Sequence, residues 1–374
     1  MRAMRLLSSL FLASFALSRL VAQSPSVADL AELLDPIRRQ HGVPALGAAV
    51  LVDGELAALG VTGLRRVGHD EVVTVDDRWH LGSCTKAMTA TLLARQVEAG
   101  KLGWTTTVAE GLSDLAEAMH DDARGITLAQ LLQHRAGLPG QPPDELWRDL
   151  FRYAGTDAEA RTEVAQVMLA VAPEAAPGTR FLYSNASYML AGAISERVGG
   201  RDWNELVQQD LFAPLGITSA GFGPPGTKDA TTQPWGHRPT PNGTIAVFAD
   251  NPPSLGPAGT VHMTLADWAT FAALHLGVVP AIDGAPLLRA ETLAELHTPP
   301  DGGDYALGWR VVERPWAPGR ILTHAGSNTM WFCVAWLAPD AKFGVLVTCN
   351  QGDAGAACDD VAGACIRRFA PDAK

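Results

Sequence analysis

Two apolar runs near the C-terminus, Trp331–Leu337 and Phe343–Cys349, flank the turn Pro339-Asp340-Ala341-Lys342 and constrain the fold more than any other feature. Alternate residues of a strand lie on opposite faces. Phe332, Val334 and Trp336 fall on one side, and Trp331, Cys333 and Ala335 on the other. Both sides are apolar, so these strands belong in an antiparallel sheet covered on both faces. Further strands are predicted around Arg310 and at Ile321–Thr323, and a closing helix from Ala354. At the other end, apolar runs flank Asp53-Gly54, a hairpin signal. A helix carried by Val27, Leu30, Leu33, Leu34 and Ile37 precedes them, with Ser26 as its candidate cap. Between the two ends the pattern is helical, broken by stretches such as Pro139-Gly140-Gln141-Pro142-Pro143. The expected class is α/β (α+β): an antiparallel sheet flanked by helices on both faces, built from both ends of the chain, with an inserted, mainly helical domain. The predicted boundaries are 25–80 plus 265–370 for the α/β domain and 81–264 for the helical one.

At 374 residues and 47% hydrophobic, the chain has enough apolar material for a sizeable core, which excludes a disordered class. Its 40 acidic side chains outnumber 29 basic ones, for a formal charge of −11. Phosphate binding needs a basic face, so a nucleic-acid partner is excluded. Arg2 and Arg5 precede the uncharged stretch Leu6–Ser18, and Ala22 offers a small residue for cleavage. This is the layout of a secretory signal peptide over residues 1–22. The expectation is an exported protein, periplasmic or secreted, cleaved near Ala22. Arg19 and Leu20 depart from an ideal cleavage site, which leaves an uncleaved anchor as the alternative. The apolar stretch is too short to cross a bilayer, which takes ~20 residues, and no later segment is apolar enough. Five cysteines leave at least one unpaired. Cys333 and Cys349 are candidates for a disulfide across the last hairpin, while Cys358 and Cys365 read as buried thiols on one helix face.

Ser83-Cys84-Thr85-Lys86 opens a helical run that ends near Ala99. Positions i and i+3 share a helix face, so the hydroxyl of Ser83 and the amine of Lys86 can meet. A serine hydroxyl needs an adjacent base, and a lysine serves only if its pKa falls. Burial achieves that, and the positive end of the helix dipole adds to it. Ala87, Met88, Leu92 and Leu93 predict a helix buried nearly all round. Cys84, one residue further, should point away as a packing thiol. A hundred residues after Ser83, Tyr183-Ser184-Asn185 stands between the turn Pro177-Gly178 and the helical run Met189–Val198. Here a phenol can relay a proton and an amide can hold a substrate amide or the lysine. The plainer alternative is a core tyrosine and a helix-capping asparagine. His324-Ala325-Gly326 lies on a late strand, where small residues allow close approach to the backbone. The same H-x-G pattern occurs at His80-Leu81-Gly82 and His275-Leu276-Gly277, and place alone selects His324.

In this order and context, S-x-x-K, Y-x-N and H-x-G resemble the motifs of the penicillin-recognising serine hydrolases. The similarity is nearer to the branch of class C β-lactamases, D,D-carboxypeptidases, esterases and D-aminopeptidases. Ile126–Leu138, Pro177–Phe181, Pro257-Ala258-Gly259 with Asp267, and Tyr305–Trp309 also resemble segments of that branch, and the similarity spans Val27 to Phe369. It implies a β-lactamase/transpeptidase-like fold with the nucleophile helix at the domain junction, and no metal or cofactor. It implies Ser83 as the acylated nucleophile, Lys86 as its base and Tyr183 as the proton relay. Asn185, His324, Ala325 and Gly326 would bind substrate, and the backbone N–H groups of Ser83 and Ser327 would form the oxyanion hole. No G-x-S-x-G elbow and no H-E-x-x-H pattern is present.

True class C β-lactamases carry lysine where His324 stands, and an unperturbed imidazole is mostly neutral at pH 7. This favours ester or amide turnover, including D-amino-acid peptides, over β-lactam turnover. The competing readings are a protein of this fold that binds without turnover, or a penicillin-binding protein that acylates and stalls. Met330-Trp331 reads either as a cleft wall or as ordinary strand. No Asp or Glu falls in an assignable motif.

Overall fold

The computed structural model describes residues 27–278, 281–282 and 285–371. The expected leader and the Ser26 cap lie outside them. Seven strands form the main sheet: β1 (Ala28–Asp29), β2 (Ala45–Val52), β3 (Glu55–Gly63), β4 (Arg310–Val312), β5 (Ile321–Ser327), β6 (Phe332–Ala338) and β7 (Phe343–Cys349). Their spatial order is β1-β3-β2-β7-β6-β5-β4, so N- and C-terminal hairpins join at the centre through β2 and β7. All pairs are antiparallel except the short β1, which runs parallel to β3 at the edge. That strand replaces the predicted first turn of helix. Helix α1 starts at Ala31, whose N–H donates to the Asp29 carboxylate at 2.9 Å. The Asp53-Gly54 turn puts both residues at positive φ, 53° and 77°, as a tight two-residue hairpin turn demands.

The sheet is covered on both faces, as the alternating apolar pattern requires. Leu46, Val50, Val345 and Val347 pack with α1 (Ala31–His41) and the C-terminal helix Gly355–Phe369. Ala49, Leu346, Ala335 and Leu337 pack on the other face with Trp268 and Phe271 of helix Leu265–His275. The start of the nucleophile helix α2 (Thr85–Glu98) contributes Ala87, Met88 and Leu92 to the same core. The rest of α2 enters a second core with helices α3 (Asp157–Leu169) and α4 (Asn185–Gly199), holding Leu131, Val164 and Met189. Within that core Arg161 is fully buried and pairs with Glu196 and Asp202. Buried guanidinium groups persist only when paired in this way.

The predicted disulfide does not form. The β6–β7 register sets Cys333 opposite Thr348 and Cys349 opposite Phe332. One residue of offset sends the two side chains to opposite faces. Cys333 joins the core with Met88 and Cys349 the core under the terminal helix. All five cysteines are free and buried, Cys358 and Cys365 on the same side of that helix as expected.

Candidate active site

Ser83 sits on a single 3-10 turn, Gly82–Cys84, that runs directly into α2. Gly82 takes φ 46°, and a Cβ there would lie 2.5 Å from the backbone nitrogen of Ser327. Gly326 is as tight, because its Cβ would meet the Leu81 carbonyl oxygen at 2.0 Å. Gly326 thus admits the nucleophile turn itself against β5, while Ala325 stays exposed beside it. Cys84 points away from Ser83 into the core, with its Sγ 3.4 Å from the His324 carbonyl oxygen and 3.5 Å from Cys333 Sγ.

Lys86 is fully buried one turn along α2. Its Nζ lies 2.7 Å from Asn185 Oδ1, 2.8 Å from the Ala258 carbonyl oxygen and 3.1 Å from Ser83 Oγ. Burial pushes the ammonium down from its ordinary 10.5 to about 7, against the opposing pull of the negative charge that Cys84 carries when ionised. Among the partners in hydrogen-bond range, the two acceptors without a proton are Asn185 Oδ1 and the Ala258 carbonyl. A neutral amine has two hydrogens for them, which leaves its lone pair for the Ser83 hydroxyl proton.

Tyr183 and Asn185 enter at the start of α4. Ser184, not Asn185, is the cap: its Oγ accepts from Ser187 N–H at 3.0 Å and donates to the Pro139 carbonyl at 2.7 Å. Asn185, in the first helical turn, is free to face Lys86. The Tyr183 ring lies 4.8 Å from Lys86 Nζ. The residue is 38% exposed, yet burial of its hydroxyl end pushes it up to about 12, against the lowering effect of the Ser83 hydroxyl. Its ring therefore faces the cleft mouth while the hydroxyl stays protonated beside Ser83.

His324 is buried, on the face of β5 opposite Ala325. Its Nε2 lies 2.8 Å from the Tyr305 hydroxyl and its Nδ1 2.7 Å from the Ala325 carbonyl oxygen. The Nδ1–H donates to the carbonyl oxygen, which can only accept, and Nε2 pairs with the hydroxyl. Ala325 and Ser327 are the exposed residues of the strand. A cavity of about 530 Å³ begins at Tyr183, Tyr305 and His324 and extends over Val312, Phe332 and Trp336. A wider groove of about 1460 Å³, lined by Glu159, Glu163, Arg197 and Arg201, lies elsewhere and contains none of these groups. Met330 and Trp331 are no cleft wall; both are buried, and Trp331 packs edge-on against Trp79 with ring centroids 6.1 Å apart.

His134 is the residue whose part in the site the sequence did not announce. Its ring stacks 4.3 Å from Tyr183 and 4.7 Å from Tyr305, and its Nδ1 accepts from Ser184 N–H at 3.0 Å. Burial holds it neutral, well below the usual histidine range, with the Lys86 charge adding to the effect. His134, Tyr305 and Ala258 all fall inside the resembling segments, and that was their only signal.

The family model described as Beta-lactamase matches residues 30–363. Penicillin-binding protein 4 of Amycolatopsis lactamdurans is 29% identical, over 86% of this chain and 84% of that protein. An unguisins hydrolase of Aspergillus campestris is 27% identical, over 86% of this chain and 61% of that protein. A class C β-lactamase structure from Rhodobacter sphaeroides superposes with a TM-score of 0.72 at 23% identity, over 90% of this chain and 98% of that one.

Proposed function

Because the chain belongs to the Beta-lactamase family, we propose that it is an exported serine hydrolase that cleaves an ester or amide through an acyl-serine intermediate. The observation that carries this reading is the fully buried Lys86 amine, 3.1 Å from Ser83 Oγ and lowered to about 7. Neutral Lys86 takes the Ser83 proton as Oγ attacks the substrate carbonyl. The N–H groups of Ser83 and Ser327 stabilise the oxyanion, a contribution worth ~10²–10³ in rate per donor. The proton passes through the Tyr183 hydroxyl to the leaving group, and the same groups activate water to release the acyl chain. Asn185 holds Lys86 in place, and His324 with the Ala325-Gly326 backbone borders the substrate. In this reading the nucleophile helix stands where the α/β domain, 25–80 plus 265–370, meets the helical domain, 81–264.

The cavity pairs the apolar Val312, Phe332 and Trp336 with the charged Arg310, Arg314 and Asp359, in keeping with a substrate that carries both apolar and polar groups, such as a D-amino-acid peptide or an ester. The charged amino-terminal stretch with its apolar run supports export. Among the described residues no helix is long and apolar enough to cross a membrane.

The test is hydrolysis of p-nitrophenyl acetate by the mature protein beside Ser83→Ala and Lys86→Ala. Loss in both variants supports the assignment, and activity that survives Ser83→Ala removes it. The similarity to a penicillin-binding protein favours one second reading, acylation with slow release. A Ser83 adduct that persists in intact-mass spectra after a burst of product would select it.

A further inference from the structure

The H-x-G triplet that place passed over, His80-Leu81-Gly82, begins a buried polar bridge. His80 Nδ1 accepts from Gly82 N–H at 3.1 Å, so the ring proton is on Nε2, which donates to Asp250 Oδ2 at 2.7 Å. Asp250 Oδ1 accepts from Asn328 Nδ2 at 2.9 Å and from Asn251 N–H at 2.8 Å. Asn328 Oδ1 accepts from the N–H groups of Met330 and Trp331, both at 3.1 Å, and so closes the turn that leaves β5. His80 is 0% exposed, Asn328 3%, and the Asp250 side chain 4%. A carboxylate stays buried only where its oxygens are satisfied, and here three donors do it.

Resting on the function proposed above, we propose that His80, Asp250 and Asn328 are positioning residues that fix the two oxyanion-hole donors relative to each other. One end of the bridge holds the residue before Ser83, and the other is the residue after Ser327. The two backbones abut at Gly82 and Ser327, yet among the described residues no backbone–backbone hydrogen bond joins 81–84 to 324–328. Among the described residues the hydrogen bonds that tie them are the bridge, the Cys84 Sγ contact with the His324 carbonyl and, through the neighbouring β6, the Cys333 Sγ contact with the Leu81 carbonyl. A donor pair must be aimed at the developing charge before reaction, so slack in this tie costs rate more than substrate binding.

The polarity of the bridge supplies the test. Asp250→Asn keeps a single oxygen for three donors, so its amide N–H meets another N–H whichever way it turns, at Asn328 and Asn251 or at His80. Asn328→Asp sets two carboxylates face to face. The double variant restores one donor and one acceptor at that contact. The readouts are kcat and KM for p-nitrophenyl acetate and the inhibition constant of phenylboronic acid. The tetrahedral adduct of that acid with Ser83 puts an oxygen where the oxyanion forms. Each single variant is expected to lose about tenfold in kcat and in boronate affinity with KM within about twofold, a partial loss of the two-donor effect. The double variant is expected to return to within about threefold. Asn328→Ala, which breaks the link without adding charge, gives the same reading if an exchange variant does not fold. Folded single variants with unchanged kcat and boronate affinity overturn the bridge, as does a double variant no faster than the slower single. Absence of Ser83-dependent hydrolysis in the wild type overturns the function and the bridge together.

Discussion

The two walls of the cleft are built from different material. The helical wall, from the nucleophile turn with α2 and the start of α4, offers the side chains that hold or move a proton in the proposed mechanism, Ser83, Lys86 and Tyr183, with Asn185 accepting from Lys86. The sheet wall, β5, offers backbone and small residues, and its one titratable group, His324, is already engaged by Tyr305. In that mechanism chemistry concentrates in side chains on one wall, while the other sets distances. Substitutions on the helical wall should act on rate and its pH dependence, and those on the sheet wall on packing and aim.

The largest expected effect tests the helical wall. Ser83→Ala should lower kcat/KM for p-nitrophenyl acetate by about 10⁴-fold or more, with unchanged circular dichroism. Tyr183→Phe keeps the ring against His134 and removes only the hydroxyl. It should lower kcat by about 10²–10³-fold with little change in KM, as removal of a proton relay does. A Tyr183→Phe enzyme at wild-type rate would take the phenol out of the mechanism and thin the contrast between walls.

The sheet wall is tested by Gly326→Ala. The added methyl would lie 2.0 Å from the Leu81 carbonyl oxygen, a backbone atom that cannot swing aside. A loss of about 1–3 kcal/mol in urea-unfolding free energy is expected, as for other overpacked sites. The lost activity should follow displacement of Ser83 from Ser327 rather than loss of a titrating group. A stability equal to wild type would mean that the turn and the strand part easily, and that β5 is no rigid wall.

The sheet and the meeting of Ser83 with Lys86 were legible in the sequence because each is written in local spacing, whereas Tyr183 and His324 were singled out by the resemblance. Two-faced apolar runs read as central strands, and Ser83 and Lys86 share a face because i and i+3 do. What escaped depends on contacts between distant segments. The Ala258 carbonyl reaches Lys86 across 172 positions, His80 meets Asp250 across 170, and His134 reaches Ser184 across 50. The Cys333–Cys349 pairing failed at the scale of one residue, since hairpin register depends on where the turn closes. The helical start at Val27 failed because Ala28 and Asp29 find sheet partners in Ala58 and Leu59, a long-range pairing that outweighs helical spacing.

The smallest effect is the sharpest test of where the titrating group lies. Lys86 is lowered to about 7, whereas Tyr183 is raised to about 12 and stays protonated across the neutral range. As pH falls through about 7 the Lys86 amine gains a proton, its lone pair is occupied, and Ser83 loses its base. The rate, kcat/KM for p-nitrophenyl acetate, should therefore rise by about tenfold from pH 6 to pH 8 along a single-proton limb and then level. The same shift has a stability sign. The folded chain binds this proton less tightly than the unfolded chain, whose lysine has its ordinary 10.5, so the contribution of Lys86 to stability rises with pH between about 7 and 10.5. The His324 imidazole lies at the same cleft. His324→Gln separates the two: the limb should stay within a few tenths of a pH unit, because the base is on the helical wall. A limb that vanishes in His324→Gln would move the titrating group to the sheet wall and reverse the division of labour between them.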